Sequence, residues 1–200
     1  FNLNNCIELD KKIENLDLFK NTLEINENKG FLAGKSKESF LDNLVKKESN
    51  ILNINEIKIE FFGNPYYEID FNEKILNVVI NEKIQKIKIS GPGNLDYWNI
   101  KVSSNLNTSV SIDRLDKNLL TGCLTIYNLN LNNVNLEVDN LHCEDSVNII
   151  NSNGTLNVVE VKNSKSDAVD IDFSKIHINN LIINKAGNDC LDLSGGTYKI

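Results

Sequence analysis

The sequence predicts an all-β fold, a parallel β-helix in which each turn takes about 22 residues, and three observations carry that expectation. The run Glu144-Asp145-Ser146-Val147-Asn148-Ile149 returns as Ser166-Asp167-Ala168-Val169-Asp170-Ile171 and again as Asn188-Asp189-Cys190-Leu191-Asp192-Leu193, 22 residues apart each time. A fixed repeat of roughly 20 to 50 residues marks a solenoid or an array. Short segments alternate apolar and polar side chains, as in Ile57-Lys58-Ile59-Glu60-Phe61, Tyr67-Glu68-Ile69-Asp70-Phe71 and Ile84-Gln85-Lys86-Ile87-Lys88-Ile89, and period two is the signature of a half-buried strand. Helical spacing is absent from the same region, so a leucine-rich repeat is excluded; a propeller would need blades of about 40 residues joined by hairpins.

The first 54 residues differ from the rest. Phe40, Leu41, Leu44 and Val45 fall at helical spacing among Lys and Glu within Ser36 to Ser49, with Ser36 or Ser39 placed to cap the N-terminus. Residues 1–54 are therefore expected to form a cap with an amphipathic helix that covers the exposed first rung. Residues 55–200 are expected to form six or seven turns. Leu156 to Asn163 is followed 22 residues later by the similar block Ile178 to Lys185, which implies two to three strands per turn. Thr197 to Ile200 reads as the start of a strand, so the segment is expected to stop on an open rung and to continue beyond it.

Two hundred residues with 40% hydrophobic content suffice for one core. A formal net charge of −7 argues against a nucleic-acid backbone or an anionic membrane surface as partner, and no apolar run approaches the ~20 residues of a membrane-spanning helix. Cys6, Cys123, Cys143 and Cys190 lack the spacing of a zinc site and are expected as buried thiols, with a single bridge left open. Asn fills about one position in six; stacked at strand ends and on outward columns, amides can bond to one another.

Residues 22 apart sit one above another at the strand spacing of ~4.8 Å. Val147, Val169 and Leu191 then form one inward column and Ile149, Ile171 and Leu193 another, while Asn148, Asp170 and Asp192 face outward beside Ile150, Asp172 and Ser194. Asp145, Asp167 and Asp189 make a corner column whose direction parity does not decide. Carboxylates stacked this closely repel, and corner backbone N–H groups, solvent, a shared proton or a cation can relieve the strain. No metal site is assigned and no cofactor is expected, although Ca²⁺ is compatible with Asn148 beside the acidic columns. His142 and His177 read as surface residues. Trp98, after Gly91-Pro92-Gly93, is suited to close a loop against the core.

Residues 120 to 200 resemble right-handed parallel β-helix repeat proteins of bacteria, many of which are found with surface polysaccharides. The stretches Ser166 to Ser174 and Gly187 to Gly196 also resemble the Asn-Thr-Asp and Gly-Asp-Asp-Cys motifs of polygalacturonase-type glycoside hydrolases, one rung apart. The resemblance implies Asp167 and Asp189 as catalytic carboxylates in an inverting hydrolysis, with Asn188 standing where the family has an acid. It implies Asp170, Asp172, Asp192 and Asn188 as contacts to an extended polysaccharide or surface glycan, and a cell-surface or secreted location. A non-catalytic structural or interaction solenoid is the alternative.

Overall fold

The computed structural model describes residues 50–107 and 114–200, together with the backbone of residues 2–4. The chain divides into two compact units, Phe1–Glu8 with Lys47–Ile200 and Leu9–Lys46. The second unit and the expected capping helix lie outside the described residues.

The first unit is an all-β solenoid of about five turns with no helix among the described residues. One sheet runs through β5 (Ile75–Ile80), β8 (Asn99–Ser104), β10 (Asn130–Asp139), β12 (Asn153–Lys162) and β14 (Lys175–Asn184), all parallel. The other runs through β6 (Lys86–Ser90), β9 (Gly122–Tyr127), β11 (Asp145–Ile150), β13 (Asp167–Asp172) and β15 (Leu191–Ser194). The expected register holds: Leu124, Val147, Val169 and Leu191 are successive partners, as are Ile126, Ile149, Ile171 and Leu193. Facing them, Leu76, Ile100, Leu136, Val159 and Leu181 make one buried column and Val78, Val102, Val138, Val161 and Ile183 another. Each such side chain removed from water stabilises the fold by about 1.5–3 kcal/mol before entropy is charged against it.

Fewer turns form than the expected six or seven, for two reasons. Ile87 pairs with Leu124, so one turn takes 37 residues instead of 22 or 23. The early strands are also not rungs. β2 (Asn50–Ile54) and β3 (Ile57–Phe62) form an antiparallel hairpin, β3 meets β6 antiparallel, and β4 (Tyr66–Asp70) meets β5 antiparallel. These hairpins close the start of the parallel stack. At the far end β14 is covered along both halves, by β16 (Thr197–Lys199) at Lys175–His177 and by β1 (Asn2–Asn4) at Ile182–Asn184. Residues from the beginning of the chain thus add a strand to the last rung.

Asparagine builds the corners. Among the described residues seven of the twelve non-glycine positions with positive φ are Asn, the side chain that best tolerates the left-handed region besides glycine. Asn128, Asn151, Phe173 and Gly195 repeat this conformation at one corner, rung after rung, and Asn140, Asn163 and Lys185 repeat it at another. Between the corners the expected amide ladders form: Asn157 Nδ2 donates to Asn135 Oδ1 at 2.9 Å, and Asn135 Nδ2 donates to Asn99 Oδ1 at 2.7 Å.

A serine ladder runs beside the first corner. The Ser152 N–H donates to Ser174 Oγ at 3.0 Å, and Ser174 Oγ donates to the Asp172 carbonyl at 2.7 Å; both serines are buried. Ser174→Ala would leave the Ser152 amide and the Asp172 carbonyl each short of this partner. A loss of about 1–2 kcal/mol is expected in urea unfolding, and no measurable loss would show that the corner relaxes around the missing hydroxyl.

Cys123 and Cys143 are buried as expected, but they form a disulfide across 5.4 Å between Cα atoms, and Cys190 is also disulfide-bonded. The 20-residue separation of the first pair is not a whole turn. Register alone therefore does not reveal it.

Candidate functional site

The outward column of the second sheet is Thr125, Asn148, Asp170 and Asp192, each the register partner of the next. Alternation points these side chains away from the core, yet Thr125 and Asn148 are both 2% exposed. The face is closed over its middle rungs and opens toward Asp192, which is exposed. Asn148 Nδ2 donates to Asp170 Oδ2 at 2.9 Å.

Burial and neighbouring charge hold protons on this face. Burial first, and then the charges of Asp172, Asp145 and Asp192, push the Asp170 carboxyl up to about 8, against the Asn148 hydrogen bond that favours its ionised form. Asp172 is raised by burial and by Asp192. Asp145 is raised to about 6, chiefly by burial, with a Thr121 hydrogen bond opposing and Asp167, Glu144 and Asp172 adding repulsion. Asp145 Oδ2 is buried without a hydrogen-bond partner, so little compensates its desolvation. The raised pKa keeps the Asp170 proton, and with it the ability to donate, to higher pH than an ordinary aspartate does.

The corner column behaves differently. Asp167 is buried, and its Oδ1 accepts hydrogen bonds from the Asp189 backbone N–H at 2.9 Å and from Asn188 Nδ2 at 2.7 Å. Asn188 Nδ2 also reaches Asp189 Oδ2 at 3.3 Å. Asp167 and Asp189 are therefore brought together around one amide, and the Asp167 carboxylate holds the corner of the next rung. Asp170, Asp172 and Asp192 gather on the adjoining face. Among the described residues no three His, Cys, Asp or Glu side chains are grouped to hold a metal ion.

No family model, curated protein or solved structure matches this chain.

Trp98 is buried and meets Phe71 edge-on at 6.4 Å, closing the loop as expected. Tyr67 stacks on Phe61 at 3.9 Å. His142 is not a surface residue: it is 4% exposed, with Nε2 at 3.3 Å from Asn140 Oδ1, and burial followed by the Lys165 charge lowers its pKa. Lys162 pairs with Glu160 on its own strand at 2.8 Å. His177 is half-buried on the outward side of β14. It lines a groove of about 280 Å³ with Lys175 and Lys199, a grouping not recognised in the sequence although Lys199 follows His177 by one 22-residue turn.

Proposed function

We propose that the chain is a carbohydrate-active β-solenoid that lays an extended polysaccharide along the acidic face of its second sheet, with Asp170 as the proton donor. The observation that carries this reading is the pairing of Asp170, held protonated to about pH 8, with the exposed Asp192 directly opposite on the next strand. Glycoside hydrolysis needs a carboxyl group that can give a proton beside a second carboxyl group. Asp167, whose Oδ1 is occupied by the next corner, is the weaker donor.

In-register carboxyl groups on adjacent strands lie ~4.8 Å apart, nearer the ~5–5.5 Å of a retaining pair than the ~6.5–9.5 Å of an inverting one. In this scheme the Asp192 carboxylate attacks the anomeric carbon while Asp170 gives its proton to the leaving glycosidic oxygen. Water, deprotonated by Asp170, then cleaves the glycosyl ester. The coil is taken as right-handed, since parallel crossovers almost always are. The disulfides support an oxidising compartment, where surface glycans are met.

The test is release of reducing ends from a polysaccharide panel, with the anomer of the product read by NMR. Asp170→Asn is expected to lower kcat by roughly 10²–10⁴-fold, and Asp192→Asn to abolish turnover. Release that survives both substitutions, or an inverted product, would overturn the assignment. A non-catalytic scaffold is the second reading, favoured by the buried Thr125 and Asn148 and by the Asp167 corner bonds; it predicts no release from any glycan.

A further inference from the structure

The outward side of the first sheet carries a second polar feature, remote in kind from the acidic face. Strands β12, β14 and β16 contribute two columns at their beginnings, Asn153-Lys175-Thr197 and Thr155-His177-Lys199, in register. These six side chains line the groove of about 280 Å³. Two lysines, a histidine, two threonines and an asparagine line it beside Gly154, Ile176 and Tyr198, and no acidic side chain is among the lining residues.

Elsewhere on the solenoid the strand lysines are compensated. Lys58 pairs with Glu60 at 2.7 Å, Lys101 with Glu137 at 2.7 Å and Lys162 with Glu160 at 2.8 Å, and the Lys88 ammonium lies over the Tyr127 ring at 5.2 Å. Lys175, His177 and Lys199 have no such partner among the described residues. On a chain with 28 acidic residues against 21 basic ones, an uncompensated basic group of three on two adjacent rungs is a local reversal of sign.

We infer that this groove binds a tetrahedral oxyanion, the sulfate or phosphate ester group of an oligosaccharide. Three donors on two rungs surround a three-oxygen anion better than a planar carboxylate, and Thr155, Thr197 and Asn153 offer hydrogen bonds to the neighbouring sugar hydroxyls. Three strands span about 10 Å, the length of two sugar units. The net charge of −7 selects against a densely charged polymer, which the rest of the surface repels. A sparsely charged glycan reaches the groove without that penalty. The site lies on a different sheet from Asp170, so it can be present whether or not the acidic face is catalytic.

Calorimetric titration of the whole protein with a 6-sulfated and a 6-phosphorylated disaccharide, their unsubstituted parent, and inorganic sulfate and phosphate tests the inference. At low salt a substituted disaccharide is expected to bind at least tenfold more tightly than the parent, and raised salt should erase the difference. Lys175→Gln with Lys199→Gln should abolish the preference, with an unchanged thermal midpoint because both residues are exposed. Lys101→Gln should leave it intact. Inorganic anions binding as tightly as the esters would overturn the oligosaccharide, and the idea of an oxyanion site falls if parent and esters bind alike or if the double variant keeps the preference. The sulfated and phosphorylated arms decide which ester is taken. Asp170→Asn should not alter this binding, which separates failure here from failure of the hydrolytic reading.

Discussion

Gly154→Ala is expected to cost about 4 kcal/mol or more, a large share of the ~5–15 kcal/mol that keeps an ordinary domain folded. Gly154 has φ of 118°, a conformation that costs an L-residue on the order of 1–3 kcal/mol. Strain is the smaller part. A Cβ built at this position would lie 1.9 Å from the Leu131 carbonyl oxygen and 2.9 Å from its carbon. Leu131 is the register partner of Gly154 on β10, so the obstacle is the backbone of the neighbouring rung and not a side chain that can turn away. Relief requires the rungs to part, which breaks ladder bonds such as Asn153 N–H to Leu129 carbonyl at 2.9 Å. Urea unfolding against Thr155→Ala, an outward neighbour expected to cost under about 1 kcal/mol, checks the claim. Equal losses for the two would show that the strands separate without penalty.

The same rung shows what a sequence exposes and what it hides. A solenoid writes its register into the chain, because one spacing places Val147, Val169 and Leu191 on the same inward column and Asn148, Asp170 and Asp192 on the outward one. Asn at the corners was legible for the same reason. Period two, however, is common to parallel and antiparallel strands, so the hairpins of β2 to β5 looked like further rungs. The turn between Ile87 and Leu124 is lengthened by an insertion, which a search at fixed spacing passes over. Alternation tells which way a side chain points and not what lies above it; hence the closed face over Thr125 and Asn148 is not legible in it. At a corner even direction is lost: parity leaves Asp167 open, and the Asn188 amide and the Asp189 backbone N–H hold it. His142 is buried where a surface position is expected, because a residue near a corner can turn inward or toward solvent.

The closed acidic face predicts an unusual pH dependence, with stability falling as pH rises from about 4 to 8. Asp170 and Asp145 are raised from 3.8 to about 8 and about 6, and Asp172 is raised as well. In the unfolded chain these carboxyls release their protons near 3.8, whereas the folded chain keeps them. Between the two values the native state binds more protons than the unfolded one, so each step up in pH favours unfolding. Their contribution is fully present below the unfolded pKa and is lost once pH has passed the folded values. The bare linkage for Asp170 and Asp145 together comes to about 9 kcal/mol; the Asp170 face is open to solvent at Asp192, and screening there reduces the expected loss to about 3 kcal/mol. Chemical denaturation at pH 4.5, 6, 7 and 9 measures it, and a stability that rises across that range would exclude protonated carboxyls on this face. Asp170→Asn isolates the main contributor. The amide keeps the shape and cannot ionise, so the variant should match the parent at pH 4.5 and exceed its stability at pH 9, with a flatter profile between. If the same variant also loses glycan cleavage, the fold is carrying Asp170 at the expense of its own stability above neutral pH, which is the trade expected of a functional carboxyl and not of a structural one.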